Sequence, residues 1–299
     1  MVRIPLIALL LMSAALPQAA VQTVRVDTYR GEATVAANPR TTVVFDVPAL
    51  DTLDALGVQV QGVIANAFVD YIDFASQTAA HVGTPFEPNY EAVAALAPDL
   101  VIAGGRSAGA VDDLARIAPT IDMTIWEDTI GQGLARLQAL GQIFGKETEA
   151  AALEAAFQTK LMQARNAVAG QGGALILMTN GPKVAAYGTG GRFGWLHTAL
   201  ALPEAVADVQ SATHGEAISF EFIRDADPEI LIVVDRLAAI GQDGANAAAT
   251  LDNALVRETR AWRDGKVIYV PSAPIYVAGG GIQAMNLILD QIIAAFPEP

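Results

Sequence analysis

The hydrophobic and polar positions of this chain form two matching segments, each with a short helical pattern followed by a continuous apolar run. The first is 89–106, NYEAVAALAPDLVIAGGR, the second is 219–236, SFEFIRDADPEILIVVDR, and they align without a gap. In both, an acidic residue opens the helix, where a carboxylate complements the helix dipole, and a proline marks the helix end. The run after the proline does not alternate, which is typical of a strand buried on both faces of a parallel sheet.

Both segments end in an arginine, Arg106 in the first and Arg236 in the second, and both have an acid at their third position, Glu91 and Glu221. Ligands of open α/β sheets bind at the carboxyl ends of the strands. The repeat therefore predicts two α/β lobes that face a cleft, with one arginine at the cleft edge of each lobe.

The rest of the chain alternates between strand and helix patterns, which indicates the α/β class. An alternating stretch, TVRVDTYRGEATV, predicts a hairpin ahead of the first sheet. The other predicted strands are 42–46, 60–65, 120–126, 174–178 and 266–270, and the other predicted helices are 49–57, 111–117, 134–144, 192–202, 245–256 and 282–296.

One segment, 147–168, predicts a long helix because it is rich in strong helix formers and contains neither Gly nor Pro. At about 1.5 Å per residue it would span roughly 30 Å, the width of a small domain. We therefore predict a connecting helix over 147–169, between an N-terminal α/β lobe (21–146) and a C-terminal α/β lobe (170–299).

The first residues, 1–20, have a basic start, an apolar region and a small-residue end, which predicts a secretory signal peptide. The apolar region is too short to span a membrane, which argues against the alternative of a retained anchor helix. The chain contains no cysteine. That excludes a lipidated cysteine anchor, a disulfide and a thiolate metal site, and we expect the mature chain in a periplasm.

The formal net charge is −14. Such a chain should repel nucleic acids and anionic membranes, so we expect no nucleic-acid partner. If the protein binds an anion, a few well-placed arginines must attract it against the overall field.

The chain has three histidines, His81, His197 and His214. His197 falls in an apolar helix pattern and His81 in a predicted strand, and we expect both to be hydrogen-bonded core residues. His214 lies in a loop of small residues, SATHG, just before the second repeated segment, and loops at strand ends often carry function. The spacing alone leaves a ligand role and a structural role equally open for His214.

Two further residues stand beside glycine-rich turns. Tyr276, in SAPIYVAGGG, is either a hydrophobic residue at the cleft rim or a phenolate ligand for a hard metal. The three glycines after it permit close backbone approach, or a phosphate cradle at the next helix. Arg192 opens a predicted helix, where its charge does not favour the dipole; a salt bridge and an anion contact both remain open for it.

Four stretches together resemble the periplasmic binding proteins of ABC importers for ferric siderophores, and most of all their catecholate branch. They are 44–57 (VFDVPALDTLDALG), 83–106, 190–197 (GGRFGWLH) and 211–222. The resemblance implies two Rossmann-like lobes joined by one long backbone helix, with the ligand cleft between the lobes. It also implies a monomer that binds its ligand without catalysis.

The same resemblance implies particular roles for the candidate residues. His214 and Tyr276 would coordinate iron(III) where a tetradentate bis-catecholate siderophore leaves two positions open. Arg106, Arg192 and Arg236 would form a triad facing the anionic complex. These roles suit the chemistry, because iron(III) favours anionic oxygen ligands and arginine offers a permanently charged planar fork. The residues that flank Arg192 depart from the family pattern.

The resemblance further implies that Glu91 and Glu221 dock on arginines of the membrane permease, which would be the protein partner. Iron would enter only as cargo in the siderophore complex, with no intrinsic cofactor.

Other classes of function remain as alternatives. The same architecture can serve cobalamin or haem. A free-metal binder is disfavoured by the scattered histidines, and a structural adaptor would use the two glutamates for docking alone. A periplasmic hydrolase is the alternative of a different kind; no HExxH metal motif occurs, and we predict that the chain is not an enzyme.

Overall fold

The computed structural model describes residues 22–72, 79–207, 209 and 215–297. The predicted signal peptide and His214 lie outside these described residues. The predicted hairpin is confirmed: β1 (Thr23–Thr28) and β2 (Gly31–Ala36) pair in antiparallel fashion.

The first lobe contains a five-stranded parallel sheet in the order β5-β4-β3-β6-β7. Its strands are β3 (Thr42–Val44), β4 (Gly62–Val63), β5 (Ala80–His81), β6 (Leu100–Ala103) and β7 (Thr120–Asp122). The strand order reverses between β3 and β6. In open α/β sheets a ligand crevice forms at such a reversal, outside the carboxyl ends of the strands.

The second lobe repeats this order, β10-β9-β8-β11-β12, with the reversal between β8 and β11. Its strands are β8 (Ala174–Asn180), β9 (Lys183–Tyr187), β10 (Glu216–Ile218), β11 (Ile230–Asp235) and β12 (Val267–Tyr269). β8, β11 and β12 are parallel, whereas β9 is antiparallel to both of its neighbours. The apolar patterns of β9 and β10 are short, and the sequence did not predict these two strands.

Helices cover the sheets and join the lobes. In chain order they are α1 (Val47–Ala55), α2 (Tyr90–Leu96), α3 (Val111–Leu114), α4 (Thr129–Phe144), α5 (Glu147–Val168), α6 (Trp195–Leu200), α7 (Phe220–Ala226), α8 (Arg236–Ala239), α9 (Ala247–Leu251), α10 (Arg260–Arg263), α11 (Ser272–Tyr276) and α12 (Ile282–Ala295). Two 3-10 helices, Gly105–Ala110 and Val256–Glu258, complete the described helical elements. Within the described part of the chain, no helix combines the length and the apolar character that crossing a membrane requires.

The two repeated segments fold into the same helix–strand unit, α2 with β6 and α7 with β11. The side chains of Asn89 and Ser219 cap the helices by accepting a backbone N–H bond at 3.0 and 3.3 Å. Each helix ends at a residue in the left-handed conformation, Ala97 with φ 45° and Asp227 with φ 38°. A proline follows both residues, so the chain turns into the buried strand at the same point in each lobe.

Helix α5 has the predicted bounds, 147–168, and lies in sequence between the strands of the two sheets. It packs against α4 and α12, and α12 packs in turn against α1. One continuous cluster of buried apolar side chains extends through both lobes, from Val43 in β3 to Ile232 in β11 and Ile288 in α12. The prediction of two α/β lobes with a long connecting helix is confirmed.

Two predictions about histidines have different outcomes. His197 is buried in α6 and its Nδ1 lies 3.0 Å from the carbonyl oxygen of Leu202, so the core prediction is confirmed. The prediction for His81 is wrong: it lies on the edge strand β5, where its side chain is exposed.

The predicted helix 192–202 begins later than expected. Arg192 lies in the glycine-rich turn before α6, which starts only at Trp195. Its charge therefore does not oppose the first turn of a helix, and the reasoning from the helix dipole does not apply to it.

The glycine run after Tyr276 allows the two lobes to touch. Gly280 has φ +94°, and a Cβ there would lie 2.6 Å from the side chain of Ile125 in the first lobe. A Cβ at Gly281 would lie 2.5 Å from the carboxyl group of Asp51. These contacts account for the glycines by close packing, so they give no support to a phosphate cradle.

Asp51 links the lobes through its buried carboxyl group. From α1 it accepts hydrogen bonds from the backbone N–H groups of Gln283 (2.8 Å) and Ala284 (2.9 Å) in the first turn of α12. The hydroxyl of Tyr71 donates a third bond at 2.7 Å. Burial raises the pKa of Asp51 to about 7, although these three donors act to lower it.

Candidate functional site

A cleft of about 770 Å³ opens between the two lobes. Its first-lobe wall begins at the carboxyl ends of β3 and β6, where the strand order reverses, as expected for an open α/β sheet. The lining residues are 45–48, 85, 104–106 and 125–129 from the first lobe, and 189–192, 195, 198, 275–277 and 279 from the second.

Three arginines converge on Tyr276; Arg106 and Arg192 line the cleft themselves, and Arg236 contacts the lining residue Tyr276. Arg106 reaches across from the first lobe, and its Nη2 donates to the carbonyl oxygen of Tyr276 at 2.9 Å. Arg192 donates to the same carbonyl oxygen. The guanidinium carbons of Arg192, Arg106 and Arg236 lie 4.3, 5.2 and 6.0 Å from the centre of the Tyr276 ring, within the range of cation–π attraction.

Arg236 contacts the polar end of Tyr276. Its Nε donates to the phenolic oxygen at 3.2 Å, and its Nη1 donates to Oδ1 of Asn180, also at 3.2 Å. Asn180 ends β8 and Arg236 directly follows β11, so the strand reversal of the second sheet brings them together. The repeat placed Arg236 at the end of a strand, and the structure confirms that placement.

This surrounding positive charge changes the acidity of Tyr276. Partial burial acts to raise its pKa, but the hydrogen bond from Arg236 and the charges of Arg192 and Arg106 outweigh it. The pKa of Tyr276 therefore lies below its ordinary value of 10.0. In Tyr187 burial dominates and raises the pKa to about 12. Tyr276 is thus the tyrosine better prepared to become a phenolate, the form that a hard cation binds.

No described carboxylate lies within ion-pair distance of Arg106, Arg192 or Arg236, whereas Arg30, Arg260 and other described arginines do form such pairs. Burial in the cleft wall, and then the neighbouring Arg106, lower the pKa of Arg192. Its side chain is nevertheless exposed to solvent, and a guanidinium stays charged at any physiological pH. The cleft therefore has two positive charges on its lining, Arg106 and Arg192, and a third, Arg236, beside the lining residue Tyr276, all of which an anionic ligand can neutralise.

The inner wall of the cleft also carries an acid, Asp46, which caps α1 by accepting the N–H of Ala49 at 3.1 Å. Burial raises the pKa of Asp46 to about 7; Asp122 adds to this, and Arg106 opposes it. The carboxyl group therefore holds its proton to a higher pH than an ordinary aspartate, so it offsets the arginines less than an ordinary aspartate would.

One segment beside the cleft matches a sequence motif of hydrolases. Residues 105–109, GRSAG, match the G-x-S-x-G pattern of a nucleophile elbow, a match that our prediction of a non-enzyme overlooked. Ser107 is buried, lies outside the cleft lining, and its hydroxyl donates to the carbonyl oxygen of Gly104 at 2.9 Å. An elbow serine must instead be exposed toward a substrate, so this segment does not have the geometry of a nucleophile.

The two predicted docking acids lie elsewhere. Glu91 and Glu221 are exposed in the first turns of α2 and α7, and neither lines the cleft. The Glu221 backbone N–H and the Ser219 hydroxyl lower the pKa of Glu221. No group of three or more acidic or histidine side chains in the described ranges could hold a metal ion by itself.

Sequence reasoning missed two residues of the cleft, Asp46 and Trp126. Both stand at the last position of a predicted strand, 42–46 and 120–126, where the rule for ligand sites in α/β sheets would have singled them out. The structure ends these strands earlier, at Val44 and Asp122, and leaves both residues on the cleft wall.

The chain belongs to the periplasmic binding protein family, whose model matches residues 43–274. It is 30% identical over 263 residues to the petrobactin-binding protein YclQ of Bacillus subtilis, covering 86% of this chain and 83% of the relative. It is 28% identical to the ferric-anguibactin-binding protein FatB of Vibrio anguillarum, covering 89% and 85%.

Solved structures agree with these sequence matches. The crystal structure of YclQ superposes with a TM-score of 0.86, covering 93% of this chain and 100% of that one. The periplasmic catecholate-siderophore binding protein VctP of Vibrio cholerae superposes with a TM-score of 0.85 at 27% identity, covering 91% and 100%. The family of solute-binding proteins predicted from the sequence is therefore confirmed.

Proposed function

We propose that this protein captures a ferric siderophore in the periplasm and delivers it to the permease of an ABC importer. The observation that carries the proposal is the set of three arginines around Tyr276, which have no described carboxylate partner in a chain of net charge −14. Such a cleft attracts a compact anion whose charge is spread over several oxygens. The similar proteins YclQ, FatB and VctP are named for petrobactin, ferric anguibactin and catecholate siderophores, which favours a siderophore over cobalamin or haem.

Within this class, a ferric bis-catecholate is the ligand that the chemistry fits best. Two doubly deprotonated catecholates leave net negative charge for the arginines and two open positions on iron(III). Tyr276 would supply a phenolate oxygen to one position, helped by its lowered pKa. His214 would supply imidazole to the other, a role that rests on the family resemblance alone.

Delivery would use Glu91 and Glu221, exposed at equivalent positions of the repeated unit. Both acids lie outside the cleft lining, so they stay available while the ligand is bound. We expect a monomer to carry out this cycle without chemical change of the ligand.

Equilibrium dialysis of the mature chain against a synthetic ferric bis-catecholamide, cyanocobalamin and haemin tests the proposal. We expect tight binding of the ferric catecholamide that neither competitor displaces. Preferential binding of cyanocobalamin or haemin, with affinity unchanged in Arg192→Gln, would instead assign the cleft to a corrin or porphyrin.

A further inference from the structure

The first-lobe wall of the cleft presents a large aromatic side chain to solvent. Trp126 lines the cleft and is 57% exposed. The described large apolar residues that are comparably exposed are Tyr29, Phe68, Phe86, Tyr90, Met162 and Tyr269, and none of these lines the cleft. An exposed indole inside a ligand cleft offers apolar surface that a bound molecule can cover.

The backbone around Trp126 is held in place from both sides. Oε1 of Gln132 accepts the N–H of Trp126 at 2.7 Å and the N–H of Glu127 at 3.2 Å. On the other side, Ile125 packs against Gly280 of the second lobe. Because the backbone that carries Trp126 is held in place, only the side chain itself has to be ordered when it binds a ligand, and an aromatic side chain with two torsions loses little conformational entropy.

The second lobe offers a different kind of surface. There the cleft presents the charged side chain of Arg192 and the ring of Tyr276, while the other lining tryptophan, Trp195, is buried with 8% exposed. Charge recognition by the arginines does not distinguish an aromatic chelate from an aliphatic one, because both are anionic. An exposed indole does distinguish them, because it can stack on a ring.

We propose that Trp126 selects aromatic siderophores by stacking on a catecholate ring of the bound ferric complex, an inference that rests on the function proposed above. The arginines neutralise the complex around Tyr276, and Trp126 covers an aromatic face of it from the first-lobe wall. Trp126 thereby determines specificity for aryl-bearing siderophores over aliphatic anionic chelates.

The test measures dissociation constants for two probes, a synthetic ferric bis-catecholamide and ferric citrate, which is anionic but has no aromatic ring. Iron retained in equilibrium dialysis is the readout, because replacing a tryptophan alters protein fluorescence. The variants are Trp126→Phe, which keeps a ring, Trp126→Leu, which keeps apolar bulk without a ring, and Phe86→Ala, which removes an exposed aromatic side chain outside the cleft lining.

We expect Trp126→Leu to weaken binding of the ferric catecholamide by about 5- to 20-fold, and Trp126→Phe by less than about 3-fold. Binding of ferric citrate should change by less than about 2-fold in both variants, and Phe86→Ala should resemble the wild type with both probes. If Phe and Leu at position 126 weaken catecholamide binding equally, or if ferric citrate is affected as strongly, ring stacking is overturned while the proposed function stands. If the wild type binds neither probe, the proposed function fails and the stacking inference fails with it.

Discussion

The Nε–H of Arg236 donates a hydrogen bond to the phenolic oxygen of Tyr276 across 3.2 Å, from the end of one strand to the end of a short helix. Above the ring lies the guanidinium of Arg192, 4.3 Å from the ring centre. Both contacts stabilise the ionised form of Tyr276 more than the neutral form. The tyrosine that the family resemblance assigns to iron therefore also has a pKa below its ordinary value.

This relationship predicts how Tyr276 titrates in the unliganded protein. An ultraviolet difference titration of wild type against Tyr276→Phe should place its midpoint below the ordinary value of 10.0. In Arg236→Gln the midpoint should rise, because burial then acts against fewer stabilising groups. A midpoint above 10.0 in the wild type, or no change in Arg236→Gln, would show that the arginines do not tune this phenol.

The arginine triad predicts a strong dependence of ligand affinity on charge. Replacing Arg106, Arg192 or Arg236 singly by Gln should weaken binding of a ferric bis-catecholate by about 10- to 100-fold, since each removes a charge-assisted contact. The affinity should also fall with ionic strength, less steeply in each variant than in the wild type. Isothermal titration calorimetry at low and high salt measures both effects.

The matched control for the triad is Arg116→Gln. Arg116 is exposed and pairs with Asp113 at 3.1 Å, away from the cleft lining. Its loss changes the net charge by the same amount, so an equal loss of affinity in this variant would mean that overall charge, and not the triad, attracts the ligand.

The fold could be predicted from the sequence wherever the hydrophobic pattern was long or repeated. Helix α5 has the predicted bounds because its 22 residues contain no competing signal. The repeat located Arg106 and Arg236 just after strands β6 and β11, since an ungapped match relates every residue of one repeated segment to a residue of the other. Strands β9 and β10 were not predicted because their apolar patterns are too short to distinguish from those of a loop.

The site was less predictable because its contacts join distant parts of the chain. Arg192 meets the carbonyl oxygen of Tyr276 across 84 positions, and Arg106 across 170, so no local pattern encodes either contact. For Arg192 the family resemblance alone predicted a place in the triad. His81 was predicted wrongly because a strand pattern does not tell an edge strand from a central one.

Because the buried carboxyl group of Asp51 links the two lobes, we predict that Asp51→Ala lowers the free energy of unfolding substantially. The change leaves two backbone N–H groups of α12 and the hydroxyl of Tyr71 without their acceptor. We expect the free energy of unfolding to fall by about 3 kcal/mol near pH 5, measured by urea denaturation. Asp54→Ala is the control: Asp54 is half-buried on the same helix and contacts the side chain of Gln283, and its loss should cost less than about 1 kcal/mol.

The cost of Asp51→Ala should also depend on pH. The pKa of Asp51 is about 7 in the folded chain and near 3.8 when unfolded, so the folded chain retains a proton that the unfolded chain releases. The contribution of this carboxyl group is thus greatest below about pH 4 and declines as the pH rises through about 7. An unfolding difference that grows from about pH 5 to about pH 8 would contradict this sign.

If Glu91 and Glu221 dock on the permease, replacing them should impair iron uptake without changing affinity for the ligand. Glu91→Ala combined with Glu221→Ala should leave affinity for the ferric ligand within about 2-fold, and should reduce iron uptake by cells at least about tenfold. Glu147→Ala is the matched control, because Glu147 is likewise an exposed acid in the first turn of a helix. Normal uptake by the double variant would remove these two acids from the interface with the permease.

The central claim, capture of a ferric catecholate by this cleft with Tyr276 as an iron ligand, is tested most directly by one titration. A ferric bis-catecholate is added to wild type and to Tyr276→Phe while visible absorption and tryptophan fluorescence are recorded. Trp126 and Trp195 both line the cleft, so binding there should quench the protein fluorescence. The account predicts tight, saturable quenching in the wild type, and weaker binding with a shifted charge-transfer band in Tyr276→Phe. Absence of quenching and of any spectral change in the wild type would contradict it.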